Sequence, residues 1–141
     1  MKLVFTFLFI SIWATNISAS NQAIDCTRIK NGKFYYEEAP NFFIIIERNG
    51  AIQRQHRVYE KFYKEESVTW KNNCSYLLKT TEINDPLLGT QIGGETEVKI
   101  ISVKNNYYEY VQKENGVWSE VKMIYFLKDL PSIVEKQKQF N

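Results

Sequence analysis

Histidine is almost missing from this chain, and with it the commonest side chain for metal binding and acid–base chemistry near neutral pH. His56 is the only histidine among 141 residues, so a zinc site built from several histidines is excluded. The sequence also lacks a Gly-x-Ser-x-Gly element, a phosphate-binding loop and a His-Glu-x-x-His pair. We therefore assign no catalytic residue, no metal and no cofactor, and we interpret His56 as a surface side chain.

Two pairs of glutamates come nearest to an acid–base constellation. Glu37 and Glu38 are adjacent, so in a strand their side chains point to opposite faces and cannot act together. Glu95 and Glu97 lie two residues apart and share a strand face, but a catalytic pair would also need a cleft and a raised pKa. We interpret Glu95 and Glu97 as part of a solvated strand face.

A strong excess of one charge is also missing. The chain carries 18 lysines and arginines against 16 aspartates and glutamates, which gives a formal net charge of +2. The two signs are mixed along the sequence, whereas a nucleic-acid-binding surface normally has a concentrated basic patch. We therefore predict no nucleic-acid partner.

Only one long apolar run is present, and it lies at the N-terminus. Residues 3–13 are almost entirely apolar, follow Lys2 and precede small residues at positions 18–20. The run is too short to span a bilayer and has the order of a secretory signal. We predict a signal peptide over residues 1–20 and a single secreted or periplasmic domain over residues 21–141, with no membrane segment after cleavage. An uncleaved anchor is the alternative.

Cysteine occurs only twice, at Cys26 and Cys74. An even count in an exported chain favours a disulfide between them. Two buried free thiols are the first alternative. A redox pair is the second, although the Cys-x-x-Cys spacing that tunes a reactive thiolate is absent.

The mature chain has the pattern of short strands joined by tight turns. Runs rich in β-branched and aromatic residues, bounded by Asn and Gly, predict eight strands, at residues 33–36, 42–48, 51–59, 67–71, 75–81, 95–104, 107–113 and 117–127. Asn49-Gly50 is typical of a type I′ hairpin turn. Because tight turns join antiparallel neighbours, we predict an all-β fold: an up-and-down barrel or a strongly curled meander, with a two-sheet sandwich as the rival.

Three stretches interrupt this pattern. The charged residues 60–66 are interpreted as one helical turn. Residues 84–94 form the longest loop, either a flexible connection or a lid beside a cavity. Residues 131–141 form a short C-terminal helix or a loose tail.

Aromatic residues are abundant, at 15% of the chain. Tyrosine and tryptophan combine a rigid apolar body with a polar tip, so Trp70, Tyr108, Tyr110 and Trp118 are candidates to face a ligand. Neighbours such as Tyr107 and Tyr108 must point to opposite faces of a strand, so only part of the set can line a cavity. Core packing is the other interpretation, since eight-stranded barrels are often filled by their own side chains.

Two segments carry a family resemblance: residues 26–34, CTRIKNGKF, and residues 68–78, VTWKNNCSYLL. They resemble small secreted proteins of Bacteroidetes-type bacteria, in which a cysteine and an Asn-Gly-x-Phe element precede a hairpin and a Trp-x-x-x-Cys-x-Tyr element follows. The resemblance implies a lipocalin-like or similar small β-barrel. It carries over no functional residue.

Two hypotheses for function follow. The first is a non-catalytic binding domain for a small apolar molecule or a protein partner. The alternative is an enzyme or enzyme inhibitor that acts in the cell envelope or outside the cell. A barrel interior of several hundred cubic ångströms lined by aromatic residues would favour ligand binding.

Overall fold

A computed structural model describes residues 23–40, 42–58, 61–84 and 92–128. The predicted signal peptide and the predicted C-terminal helix or tail lie outside these residues, as do positions 85–91 of the long loop. The hypotheses about those three segments therefore stay predictions.

The described residues form nine strands and one short helix. The 3₁₀ helix Thr27–Ile29 comes first and is followed by β1 (Asn31–Ala39), β2 (Phe42–Asn49), β3 (Ile52–Arg57), β4 (Tyr63–Asn72), β5 (Ser75–Ile83), β6 (Glu95–Val103), β7 (Tyr107–Glu114), β8 (Val117–Trp118) and β9 (Lys122–Phe126).

The strands close into an antiparallel barrel. From β1 to β7 each strand pairs with the next, and β9 pairs with both β7 and β1. Eight strands, β1 to β7 and β9, thus form the ring, while the two-residue β8 pairs with the end of β7. This closure confirms the predicted all-β barrel. It excludes the sandwich, because a sandwich consists of two sheets with open edges, whereas the ring has no open edge.

Side chains alternate between the barrel interior and its outer surface. Tyr108 is completely buried inside, whereas its neighbour Tyr107 packs on Tyr125 outside, with ring centroids 5.8 Å apart. The main core lies inside the ring and includes Phe34, Ile46, Tyr76, Val98, Ile100 and Tyr108. Each such side chain contributes about 1.5–3 kcal/mol on burial, so this cluster accounts for much of the barrel's stability.

The apolar run of β2 is buried on both faces. Ile46 belongs to the interior core, and the adjacent Ile45 belongs to a second cluster with Phe43 and Val58. Strand alternation places this second cluster on the outer surface of the barrel. The run therefore lacks the polar alternation of a strand with one solvated face.

One end of the barrel is covered by the N-terminal segment, and we call it the closed end. A disulfide joins Cys26 to Cys74 with a Cα–Cα distance of 5.4 Å, which confirms the predicted bond. It anchors the 3₁₀ helix, whose Ile29 is fully buried in the interior core. The opposite end, the open end, carries the β1–β2, β3–β4, β5–β6 and β7–β8 connections.

Two of the three Asn-Gly pairs lie at turns, and these turns differ, whereas Asn31-Gly32 lies at the start of β1. At the β7–β8 turn, Asn115 and Gly116 both have positive φ, 51° and 83°, as a type I′ turn requires. At the β2–β3 turn, Asn49 pairs with Ile52, so the loop is Gly50-Ala51, and only Gly50 has a positive φ. The type I′ prediction for Asn49-Gly50 is therefore wrong: the strand pairing extends through Asn49, so the loop lies one residue later, and its two positions do not both have a positive φ.

Two further element predictions are wrong in part. The helical turn proposed for residues 60–66 is replaced, from Tyr63 onward, by the start of β4. The predicted strand 117–127 is divided into β8 and β9. The break falls at Ser119, which donates its backbone N–H to the Gln112 carbonyl oxygen and accepts the Gln112 N–H at its hydroxyl.

Candidate functional site

The barrel interior contains a cavity of about 690 Å³ between the core and the open end. All eight strands of the ring contribute lining side chains. The lining includes exposed residues from strand ends, among them Glu38, Glu114 and Lys122, so the cavity opens to solvent at a charged rim.

The pairing between β1 and β9 is the shortest in the ring. These strands pair at only two positions, Phe34 with Phe126 and Tyr35 with Tyr125. Beyond Tyr35 the cavity is lined by β1 on one side of the seam and by β9 residues such as Met123 on the other. The cavity lining therefore extends to both sides of this short seam.

One wall of the cavity is polar and is formed by β3 and β4. Glu66 accepts hydrogen bonds from the side-chain amides of Gln53 and Gln55, at 3.0 and 2.8 Å, and forms an ion pair with Lys64 at 2.5 Å. The Tyr36 hydroxyl donates to the Gln55 oxygen at 3.4 Å. Because buried polar groups need partners, this chain of contacts holds the four β3 and β4 side chains in fixed positions.

The remaining walls are largely aliphatic and aromatic. Ile46, Leu78 and Val98 line the cavity together with the rings of Tyr36 and Tyr110. Burial raises the pKa of both tyrosine hydroxyls well above the usual value, so both stay protonated at neutral pH and can donate hydrogen bonds.

Arg48 forms the floor of the cavity. Its guanidinium donates to the Gln53 side-chain oxygen at 2.9 and 2.5 Å, to the Ile29 carbonyl oxygen at 2.8 Å and to the Tyr76 hydroxyl at 2.9 Å. A longer contact of 3.4 Å reaches the Tyr108 hydroxyl. Gln53 thus bridges Arg48 to Glu66, and one polar network runs from the closed end to the polar wall.

Of the four aromatic residues that the sequence suggested, Tyr108 and Tyr110 lie together, with ring centroids 6.2 Å apart, and the two tryptophans lie elsewhere. Tyr110 lines the cavity. Tyr108 lies in the core below it, packed edge-on against Phe34. Trp70 donates its indole N–H to the Gly50 carbonyl oxygen near the closed end, and Trp118 is 42% exposed on β8. Among these four, Tyr110 is the one that the cavity lining includes.

The other candidates lie on the outer surface. His56 is half-buried there, with Nε2 4.0 Å from a Glu47 carboxylate oxygen. Glu95 and Glu97 form ion pairs with Lys79 and Lys71. The geometry of both glutamates agrees with a solvated strand face.

The polar wall and Arg48 are the residues that sequence reasoning missed. Gln53 and Gln55, like Lys64 and Glu66, are spaced two residues apart in consecutive strands, so each pair shares one strand face. This spacing predicts that the two members of each pair share a strand face. It does not predict that this face lies inside a barrel.

No family model, no curated protein and no solved structure matches this chain. Within residues 23–40, 42–58, 61–84 and 92–128, no three His, Cys, Asp or Glu side chains are grouped to hold a metal ion. The same residues contain no helix with the length and apolarity needed to cross a bilayer.

Proposed function

We propose that this protein is an exported, non-catalytic binding domain that holds a small amphiphilic molecule inside its barrel. The single observation that carries the proposal is the 690 Å³ cavity, which lies within the range of about 300–1,000 Å³ typical of ligand sites. Apolar walls with a few convergent polar groups are the usual composition of such sites.

The side chains that line the cavity favour an amphiphilic ligand over a purely apolar one. Leu78 and Val98 offer apolar contact on one side of the cavity, whereas Gln55, Lys64 and Glu66 offer hydrogen bonds on another. A purely apolar ligand would bury those polar groups without new partners, at a cost in free energy. A ligand with one polar end satisfies both walls.

Export is the second part of the proposal. The Cys26–Cys74 disulfide is the kind of bond that persists in oxidising compartments, and the N-terminal run predicts a secretory signal. Together they support a secreted or periplasmic location. The resemblance to small secreted bacterial proteins points the same way and stays a prediction.

Uptake of N-phenyl-1-naphthylamine, a neutral fluorophore that brightens in apolar surroundings, tests the binding site. We expect a saturable rise in fluorescence with one site per chain. Thr96→Trp, at a half-buried lining position of β6, should weaken uptake about ten-fold or more because it overfills the cavity. Lys99→Trp, at an exposed position of the same strand, is the matched control and should bind normally.

Two results would contradict the proposal: the absence of saturable uptake by the wild-type protein, or equal affinities of the Thr96→Trp and Lys99→Trp variants. The first would show that the cavity takes no such molecule, and the second would place the fluorophore elsewhere. The enzyme and inhibitor alternative has no geometric observation of this kind in its favour and stays a prediction.

A further inference from the structure

The inner part of the cavity contains more positive than negative charge. Among the described lining residues below the rim, Arg48 and Lys64 are cationic and Glu66 is the one anion. Arg48 is 4% exposed, and the Lys64 side chain is 15% exposed. Arg57 is also buried, but its guanidinium lies over the Phe42 ring and is not part of the lining.

Arg48 is held by neutral groups. Its recorded partners are the Gln53 amide oxygen, the Ile29 carbonyl oxygen and the Tyr76 and Tyr108 hydroxyls. Burial works to lower the pKa of Arg48, but the Tyr108 and Tyr76 hydroxyls outweigh it and the pKa is raised. Arginine therefore stays cationic, and a positive charge persists at the floor.

Glu66 carries one negative charge and pairs directly with Lys64, not with Arg48. One oxygen accepts from Lys64 at 2.5 Å, and the other accepts from both glutamine amides of the polar wall. It reaches Arg48 only through Gln53. The inner cavity thus has two cations against one anion, and a buried charge without a counter-ion is costly.

Lys64 can still bind a further group. An ammonium has three N–H donors, and the structure records one partner for Lys64 among the described residues, the Glu66 carboxylate. Lys64 lies on the cavity lining beside the polar wall. Its remaining donors are therefore available to a ligand inside the barrel.

We propose that the ligand is an organic monoanion, a carboxylate attached to an apolar body, with the carboxylate bound by Lys64. This inference rests on the proposed function and names its ligand class. The anion balances the surplus positive charge, and the apolar body lies against Leu78 and Val98. The rim carboxylates Glu37, Glu38 and Glu114 oppose it weakly, because all three are exposed to water, which screens their charge, and the rim cation Lys122 offsets part of it.

Three compounds with the same alkyl chain separate charge from apolar contact: dodecanoate, dodecanol and dodecylamine. Each displaces N-phenyl-1-naphthylamine, with dodecanoate and dodecylamine kept below their micelle concentrations and dodecanol below its solubility limit in water. We expect dodecanoate to bind about ten-fold tighter than dodecanol, as one charge-assisted hydrogen bond provides, and dodecylamine to bind weakest. Equal affinities, or a preference for the amine, would overturn the inference but leave the proposed function intact. Failure of all three and of the fluorophore would overturn both.

Two variants test the role of Lys64 in opposite directions. Lys64→Met should weaken dodecanoate about ten-fold and leave dodecanol unchanged. Glu66→Gln keeps the shape and an acceptor oxygen but frees Lys64, so dodecanoate should bind more tightly.

Lys79→Met, which breaks the outer Lys79–Glu95 ion pair, is the matched control and should alter the affinity for neither ligand. Unchanged dodecanoate affinity in both Lys64→Met and Glu66→Gln would overturn the assignment, and the Glu66→Gln result stands even where Lys64→Met fails to fold.

Discussion

Replacing Arg48 with methionine should destabilise the barrel strongly, because the guanidinium satisfies buried acceptors for which the described residues offer no other recorded donor. The side-chain oxygen of Gln53 cannot turn away, since the amide nitrogen of the same group is held by Glu66. The Ile29 carbonyl oxygen belongs to the 3₁₀ helix at the closed end. The Tyr76 hydroxyl can rotate to another partner. Only the Gln53 side-chain oxygen and the Ile29 carbonyl oxygen therefore lose their donor.

Each buried acceptor left without a donor costs about 1–3 kcal/mol, so two cost about 2–6 kcal/mol. Removal of a buried charge offsets part of this cost, and we expect a net loss of about 3 kcal/mol. A domain of this kind has about 5–15 kcal/mol of stability, so Arg48→Met should still fold. Arg48→Lys keeps the charge with fewer, differently placed donors and should lose less.

Urea unfolding followed by tryptophan fluorescence and circular dichroism measures these differences, with equal m-values as the check on two-state behaviour. The matched control is Arg54→Met. Arg54 binds Glu65 on the outer surface, with its side chain 48% exposed, and such pairs contribute less than about 1 kcal/mol. An Arg48→Met variant no less stable than Arg54→Met would refute the role given to the buried network.

Two further predictions concern the disulfide and the buried tyrosines. The Cys26→Ser/Cys74→Ser double variant should lose about 4 kcal/mol in the chain-entropy model for a sequence separation of 48; a urea midpoint equal to that of the oxidised wild type would contradict the expected constraint. Burial raises the pKa values of Tyr36, Tyr76 and Tyr110 above the usual tyrosine value of about 10. Because the unfolded chain releases these protons first, their contribution to stability is complete below about pH 10 and declines above it. Urea unfolding across this pH range measures the decline, and stability that rises with pH there would contradict it.

Local patterns were enough to predict most of the strands. β2, β5, β6 and β7 lie close to their predicted limits, because alternating or continuous apolar runs bounded by Asn and Gly specify strands over short distances. The disulfide followed from cysteine count and expected compartment. The start of β4 was missed because lysine and glutamate favour helices in isolation, whereas pairing with β3 and β5 overrides that preference.

The candidate site was harder to predict. Tyr110 was named from the sequence for its side-chain chemistry, and it lines the cavity. Gln53, Lys64 and Glu66 look like ordinary surface residues in a linear sequence, since polar residues in strands usually face water. Only the direction of strand curvature decides that their face is the interior one.

Local sequence was sufficient to predict the all-β class, the approximate strand limits and the Cys26–Cys74 bond, because these depend on side-chain alternation, turn residues and cysteine count. Ring closure through β1–β9 pairing and the shortness of that seam depend on contacts between segments far apart in the chain, so only the folded structure establishes them. It also decided that Arg48 meets Glu66 through Gln53 around a cavity. The physical reason is that alternation defines two faces of a strand, whereas pairing between distant segments decides which face is enclosed.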